Sequence, residues 1–247
     1  MFNLLIYYFK KFLPRKDRLS SNFKYRHYLF NELKENLDIS NFKNFRILEI
    51  GPRDGEDSQR LASLNPKDFF IIDLPNRTKN NLDWIKNLNI KPKYIEGNFM
   101  YLSDEELSKI GKFDLIWFTG VLYHNPEQLR FIKKLYNLLN DNGYLVLESS
   151  TVRTLSLRNK NVVQIHYPNT FRDTDTITHL PSKQAIKSWL SMSGFFQIID
   201  SKCFNFENLN IKNTRYACIA IKTKDSKPKK YYSKVVNNSN YEIGDSQ

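Results

Sequence analysis

Apolar positions along this chain follow two rhythms. Over residues 24–38, Tyr25, Tyr28, Leu29, Leu33 and Leu37 recur every three or four positions with polar residues between them, which predicts an amphipathic helix. From residue 45 the rhythm shortens. Apolar runs at Phe45–Ile50, Phe69–Asp73, Lys93–Glu96, Phe113–Phe118 and Tyr144–Glu148 alternate with helical patterns, so successive βαβ units and a parallel sheet are expected.

The helix starts are legible. Ser103 with Glu106 three residues on is a capping box ahead of Leu107 and Ile110. Asn125-Pro126-Glu127-Gln128 predicts an N-cap, a proline at the first helical position and a helix to about Leu139, ended by Asp141-Asn142-Gly143. After Glu148 the pattern breaks over 150–181, a stretch rich in Thr, Arg and Asn that reads as a long functional or disordered loop. Ser182 then caps a helix carrying Ile186, Trp189 and Leu190, which Gly194 stops. Phe195–Phe204 and Arg215–Ile221 read as two more strands, and a lysine- and asparagine-rich tail follows.

The net charge of +12 is concentrated at the ends: residues 1–18 carry +4 and residues 222–247 carry +3, leaving +5 for everything between. The body is therefore only mildly basic, which weakens a nucleic-acid reading without removing it. Cys203 and Cys218 match no metal-ligand or redox spacing, which fits a reducing, cytoplasmic setting. The apolar start, Met1 to Phe9, is too short to span a bilayer, and no signal-peptide cleavage site follows it. Residues 1–13 are expected either to pack on the domain edge or to make peripheral membrane contact.

The chemistry gathers at Ile47-Leu48-Glu49-Ile50-Gly51-Pro52-Arg53-Asp54-Gly55-Glu56-Asp57, an apolar strand leading through a glycine turn into a helix. About twenty residues on, Asp73 ends the second strand where a carboxylate can grip a ribose diol. A dinucleotide fingerprint needs G-x-G-x-x-G. Here Arg53 stands at the central glycine, and Asp54 and Glu56 put negative charge where a pyrophosphate would lie. These residues suit a positively charged ligand without phosphate.

In these residues the chain resembles class I S-adenosylmethionine (SAM)-dependent methyltransferases over about residues 45–221, with Arg53 as a departure from the family's first motif. The resemblance implies a Rossmann-like α/β three-layer sandwich, its mostly parallel seven-stranded sheet carrying an antiparallel strand at the C-terminal end. It also implies a helical extension over 1–40, the methyltransferase domain over 41–222 and a basic, disordered tail over 223–247. The implied cofactor contacts are Glu49, Gly51, Pro52, Arg53 and Gly55 in the first turn, Asp73 and Leu74 after the second strand, Asn98 and Phe99 after the third, and Thr119, Gly120 and Tyr123 after the fourth. Gly120-Val121-Leu122-Tyr123-His124 is similar to the branch holding tRNA wobble-uridine carboxymethyltransferases and also to methyltransferases of surface-glycan gene sets. The implied acceptor is accordingly a small molecule or glycan, with tRNA as the alternative.

His124, just past the fourth strand, is a candidate base for an acceptor hydroxyl or amine, or simply a hydrogen-bonding residue at a helix start. Glu148, Arg153 and His166 lie where substrate-facing loops arise, and an arginine there suits an acidic acceptor. Asn98 also reads as an ordinary turn former. Trp84, Trp117 and Trp189 read as core residues. No His/Asp/Glu ligand cluster is evident, so no metal is expected. A fold that has lost catalysis is the third reading, supported by Arg53 crowding the methionine end of the cofactor.

Overall fold

The structure, a computed structural model, describes residues 15–37, 39–75, 83–168, 176–202, 214–225 and 227, with side chains from Arg26 onward apart from those of residues 39–41. The expectations for residues 1–13, for the side chain of Tyr25, for Cys203 and for the end of the tail lie outside the described residues.

Helix α1 (Arg15–Asn36) is longer than its apolar rhythm. Leu29, Phe30, Leu33 and Leu37 turn inward, whereas Tyr28 faces solvent. The buried stripe therefore runs through Phe30 rather than Tyr28. A short 3-10 turn (Ile39–Asn44) leads into β1 (Arg46–Ile50), α2 (Glu56–Ala62), β2 (Asp68–Asp73), α3 (Asp83–Lys86) and β3 (Lys93–Glu96). There follow α4 (Asp104–Ile110), β4 (Phe113–Thr119), α5 (Gln128–Asn137), β5 (Leu139–Ser150), β6 (Val163–His166), β7 (Thr178–Pro181), α6 (Lys183–Ser193), β8 (Gln197–Asp200) and β9 (Arg215–Ile221).

Seven strands form one sheet in the order β3-β2-β1-β4-β5-β9-β8. β1 to β5 run parallel, and β9 is antiparallel to both β5 and β8. Both faces are covered, which explains why the strands read as continuous apolar runs. Leu48, Ile50, Phe70, Ile72, Ile116, Phe118, Leu145 and Leu147 pack with α4, α5 and α6. Ile47, Phe69, Ile71, Leu115, Trp117 and Val146 pack with α1 and with Leu61 of α2. Full burial of Leu29 and Leu33 stabilises the α1 contact by about 1.5–3 kcal/mol for each side chain. The expected Rossmann-like three-layer sandwich is what the chain forms.

Ser103 and Glu106 form the capping box, and Ser182 caps α6, which Gly194 ends. The start of α5 differs from expectation. Asn125 accepts from the Glu127 amide at 2.7 Å, turning the chain before a helix that begins at Gln128. The Gln128 amide instead donates to the Leu122 and His179 carbonyls. α5 also stops early, because Leu139 already pairs with Phe113, and the Asn142 turn (φ 63°) falls inside β5. The stretch expected to be a loop holds β6 and β7, an antiparallel ribbon joined to the body by Leu180 against Val152 and Tyr123. No helix among the described residues is long and apolar enough to cross a membrane.

Candidate functional site

The chain leaves β1 toward β2 on one side and returns, after β3, to β4 on the other. The sheet therefore opens a crevice between the carboxyl ends of β1 and β4, where open α/β sheets bind ligands. The glycines past these strand ends continue the ladder by one bond. The Gly51 amide donates to Ile72 O at 2.9 Å, that of Gly97 to Asp73 O at 2.8 Å and that of Gly120 to Glu148 O at 2.9 Å.

In the first turn, Gly51, Arg53 and Gly55 have φ of 70°, 60° and 78°. Arg53 thus holds the left-handed conformation where a glycine is usual, at a steric cost of about 1–2 kcal/mol, and its side chain is exposed. A Cβ on Gly51 would lie 2.7 Å from Val121 Cγ2, so the turns after β1 and β4 touch there. A Cβ on Gly55 would overlap the Trp84 indole, which packs the turn from α3. Pro52 is buried within the same turn.

Beneath this turn lies a cluster of charges. Glu49, 1 % exposed, accepts from Ser58 Oγ at 2.5 Å. Burial first, and the neighbouring Asp57 carboxylate second, push the Glu49 carboxyl up to about 8 against opposing contributions from Ser58 and Arg26. Asp57, 3 % exposed, receives four donors: Arg26 Nη1 at 3.2 Å, Arg60 Nη1 at 2.8 Å, Trp117 Nε1 at 3.1 Å and Thr119 Oγ1 at 3.2 Å. The guanidinium of Arg26 also lies against Gly120 (φ 74°), where a Cβ would collide with it.

The other expected residues divide by surroundings. Asp73 ends β2 at the crevice, buried, with Oδ1 accepting from the Leu74 amide at 2.8 Å; Leu74 is exposed. Asn98 caps the Phe99–Tyr101 turn by accepting from the Met100 amide, the turn-former role. The Phe99 ring stacks on that of Phe131 at 4.9 Å within the core. The Tyr123 ring lies 4.1 Å from that of His124, and His124 is exposed at the mouth of the crevice.

Glu148 is buried and ion-paired. Both its oxygens are taken by Arg215, through Nε and through Nη2 at 2.7 Å, while Nη1 reaches Ser150 at 2.9 Å. Burial disfavours the charge of Arg215, but Glu148 more than offsets this and holds the guanidinium protonated. Arg153 is exposed on the turn after β5 and lies near enough to His166 for its charge to assist burial in holding the imidazole below its ordinary value. Arg153 and His166 thus form a second group. Trp117 and Trp189 pack in the core as expected; Trp117 also serves Asp57.

Four residues escaped the sequence reading: Arg26, Asp57, Ser58 and Arg215. The signal was a polar residue on an apolar stripe. Arg26 is three residues ahead of Leu29, Asp57 four ahead of Leu61, and Arg215 opens a strand buried along nearly its whole length.

A turn with three left-handed residues and an acid at the next strand end fit a ribosyl ligand. Residues 24–198 match the family described as a methyltransferase domain. Among similar proteins is the tRNA U34 carboxymethyltransferase of Campylobacter jejuni subsp. jejuni, 26% identical over 159 residues, covering 63% of this chain and 52% of that one. The enzyme of the same name from Wolinella succinogenes is 26% identical over 156 residues, covering 63% and 53%. The chain thus spans about half the length of the curated relatives it matches. Among solved structures, the N-terminal domain of EvdMO1 in the presence of SAH and D-fucose gives a TM-score of 0.60 at 13% identity, covering 78% of this chain and 82% of that one. A SAM-dependent methyltransferase from Mesorhizobium loti gives 0.52 at 12% identity, covering 73% and 92%.

Proposed function

Since the chain belongs to the methyltransferase-domain family, we propose that it transfers a methyl group from SAM to a small-molecule or glycan acceptor. The observation that carries this reading is the turn at Gly51, Arg53 and Gly55 beside Asp73, a backbone cradle whose neighbours Asp54 and Glu56 disfavour pyrophosphate. SAM supplies a methyl already activated by its sulfonium, so the protein's work is alignment for in-line displacement. In this reading Asp73 grips the ribose diol, with Leu74 beside it. Gly51, Pro52 and Gly55 let backbone approach the ligand, and Tyr123 walls the crevice. His124, exposed at the mouth, takes the proton of an acceptor hydroxyl or amine. Arg153 and His166 meet the acceptor from the ribbon side. The exposed side chain of Arg53 supports a working enzyme over a non-catalytic relative, since the turn keeps its shape.

A sugar acceptor accords with the D-fucose beside EvdMO1, and tRNA, the second acceptor class, with the named activity of the Campylobacter and Wolinella relatives. Titration calorimetry with SAM and S-adenosylhomocysteine (SAH) tests the reading. Wild-type binding that vanishes in Asp73→Ala is expected; a wild type that binds neither refutes it. A salt-dependent gel shift with bulk tRNA then separates the acceptor classes, since an RNA substrate must show counterion-sensitive affinity.

A further inference from the structure

We propose that Asp57 and Arg26 are positioning residues for the cofactor, a single buried ion pair that sets α1, the glycine turn and the end of β4 in register around the crevice. This rests on the SAM reading above. Asp57 stands in the first turn of α2, directly after the glycine turn, and its Oδ2 accepts from Arg26 of α1 and from Trp117 and Thr119 of β4. Thr119 is the last residue of β4, and Gly120, which follows it, leaves the space that the Arg26 guanidinium fills. One carboxylate therefore joins three elements that border the crevice. A buried charge with four donors is strongly directional, because losing any one partner leaves the others imperfectly satisfied.

The pair also sets the charge that a cationic ligand meets. Glu49 on β1 is faced by Asp57 and Ser58 from α2, by Arg26 from α1 and by Asp73 from β2, with Arg60 behind Asp57. Asp57 raises the pH at which Glu49 loses its proton, and Arg26 lowers it. Removing either partner must therefore move the titration of Glu49 in opposite directions. Loss of packing alone has no reason to do so.

The test is calorimetric titration of the full chain with SAM and, separately, SAH from pH 6.5 to 9.5, in the wild type, Asp57→Asn, Arg26→Met and Arg26→Lys. Leu33→Ala serves as a control that loosens α1 without touching the pair. At pH 7, Asp57→Asn and Arg26→Met should each weaken SAH binding about tenfold, the scale of a hydrogen bond to a charged group. The ratio of SAM to SAH affinity should rise through about pH 8 in the wild type as Glu49 ionises. That rise should shift to lower pH in Asp57→Asn and to higher pH in Arg26→Met, with Arg26→Lys near the wild type. Leu33→Ala should lower the melting temperature and leave the profile in place. If Asp57→Asn does not fold, the partly exposed Arg26 carries the test alone, by its alkaline shift and its rescue by lysine. Wild-type binding with profiles alike in all variants, or shifted in the same direction, overturns the proposal by itself. A wild type that binds neither ligand removes both this inference and the reading beneath it.

Discussion

The two sides of the crevice are built differently. On the β1–β4 side, backbone does the shaping: three consecutive alternate residues in left-handed conformation, with strand ends pinned by glycine amides. Beyond β5, side chains do it: the Glu148–Arg215 pair closes the sheet, and a small ribbon, β6–β7, rests on Val152 and Tyr123. Backbone geometry admits few sequences, so the first side is a general holder. A ribbon on a small apolar contact admits many, so under the proposed function the second side is where acceptor specificity would have room to vary.

The largest effect that sharpens this contrast concerns Arg215. Arg215→Met leaves Glu148 buried without its cation, a loss on the order of 3–5 kcal/mol, or roughly 10 °C in melting temperature. Adding Glu148→Leu should recover most of it, and a single variant that melts like the wild type would dissolve the distinction between the two sides.

Next is Glu49. Its carboxyl titrates near 8 in the folded chain and near 4.5 in the unfolded one, so its contribution to stability is complete below about 4.5 and is lost as pH rises through about 8. Glu49→Gln cannot ionise. Its melting temperature relative to the wild type should climb from pH 5 to a plateau above pH 8; a flat difference would show Glu49 to be charged throughout.

Arg53 tests whether backbone alone matters in the turn. Arg53→Gly should gain a few tenths to about 1 kcal/mol, and Arg53→Val, β-branched at positive φ, should lose about 1 kcal/mol. SAH affinity should hold in the glycine variant. The smallest effect lies on the ribbon: Ile165→Thr, on an exposed face, should change stability by less than about 0.5 kcal/mol in chemical denaturation.

How much of this was legible follows the same division. The five parallel strands, the capping box and the residues at 49, 51, 55 and 73 were readable because periodicity and turn chemistry are local. The ribbon was not. Val163, Gln164, Ile165 and His166 alternate too briefly to stand out, and their pairing to Thr178–Pro181 crosses a long separation. The pairing of Glu148 was hidden for a related reason: its partner, Arg215, is 67 positions away. The place of Phe99 after β3 likewise gives no hint that its ring stacks on Phe131.

β9 enters the sheet at Arg215, opposite Ser150, and leaves at Ile221, opposite Tyr144. There Lys222 buries its ammonium against the carbonyls of Tyr136 and Leu139. The chain therefore exits at the amino edge of the parallel strands, about 20 Å from the crevice at strand spacing. A probe attached to the exposed Lys224 would therefore sit on the face opposite the crevice.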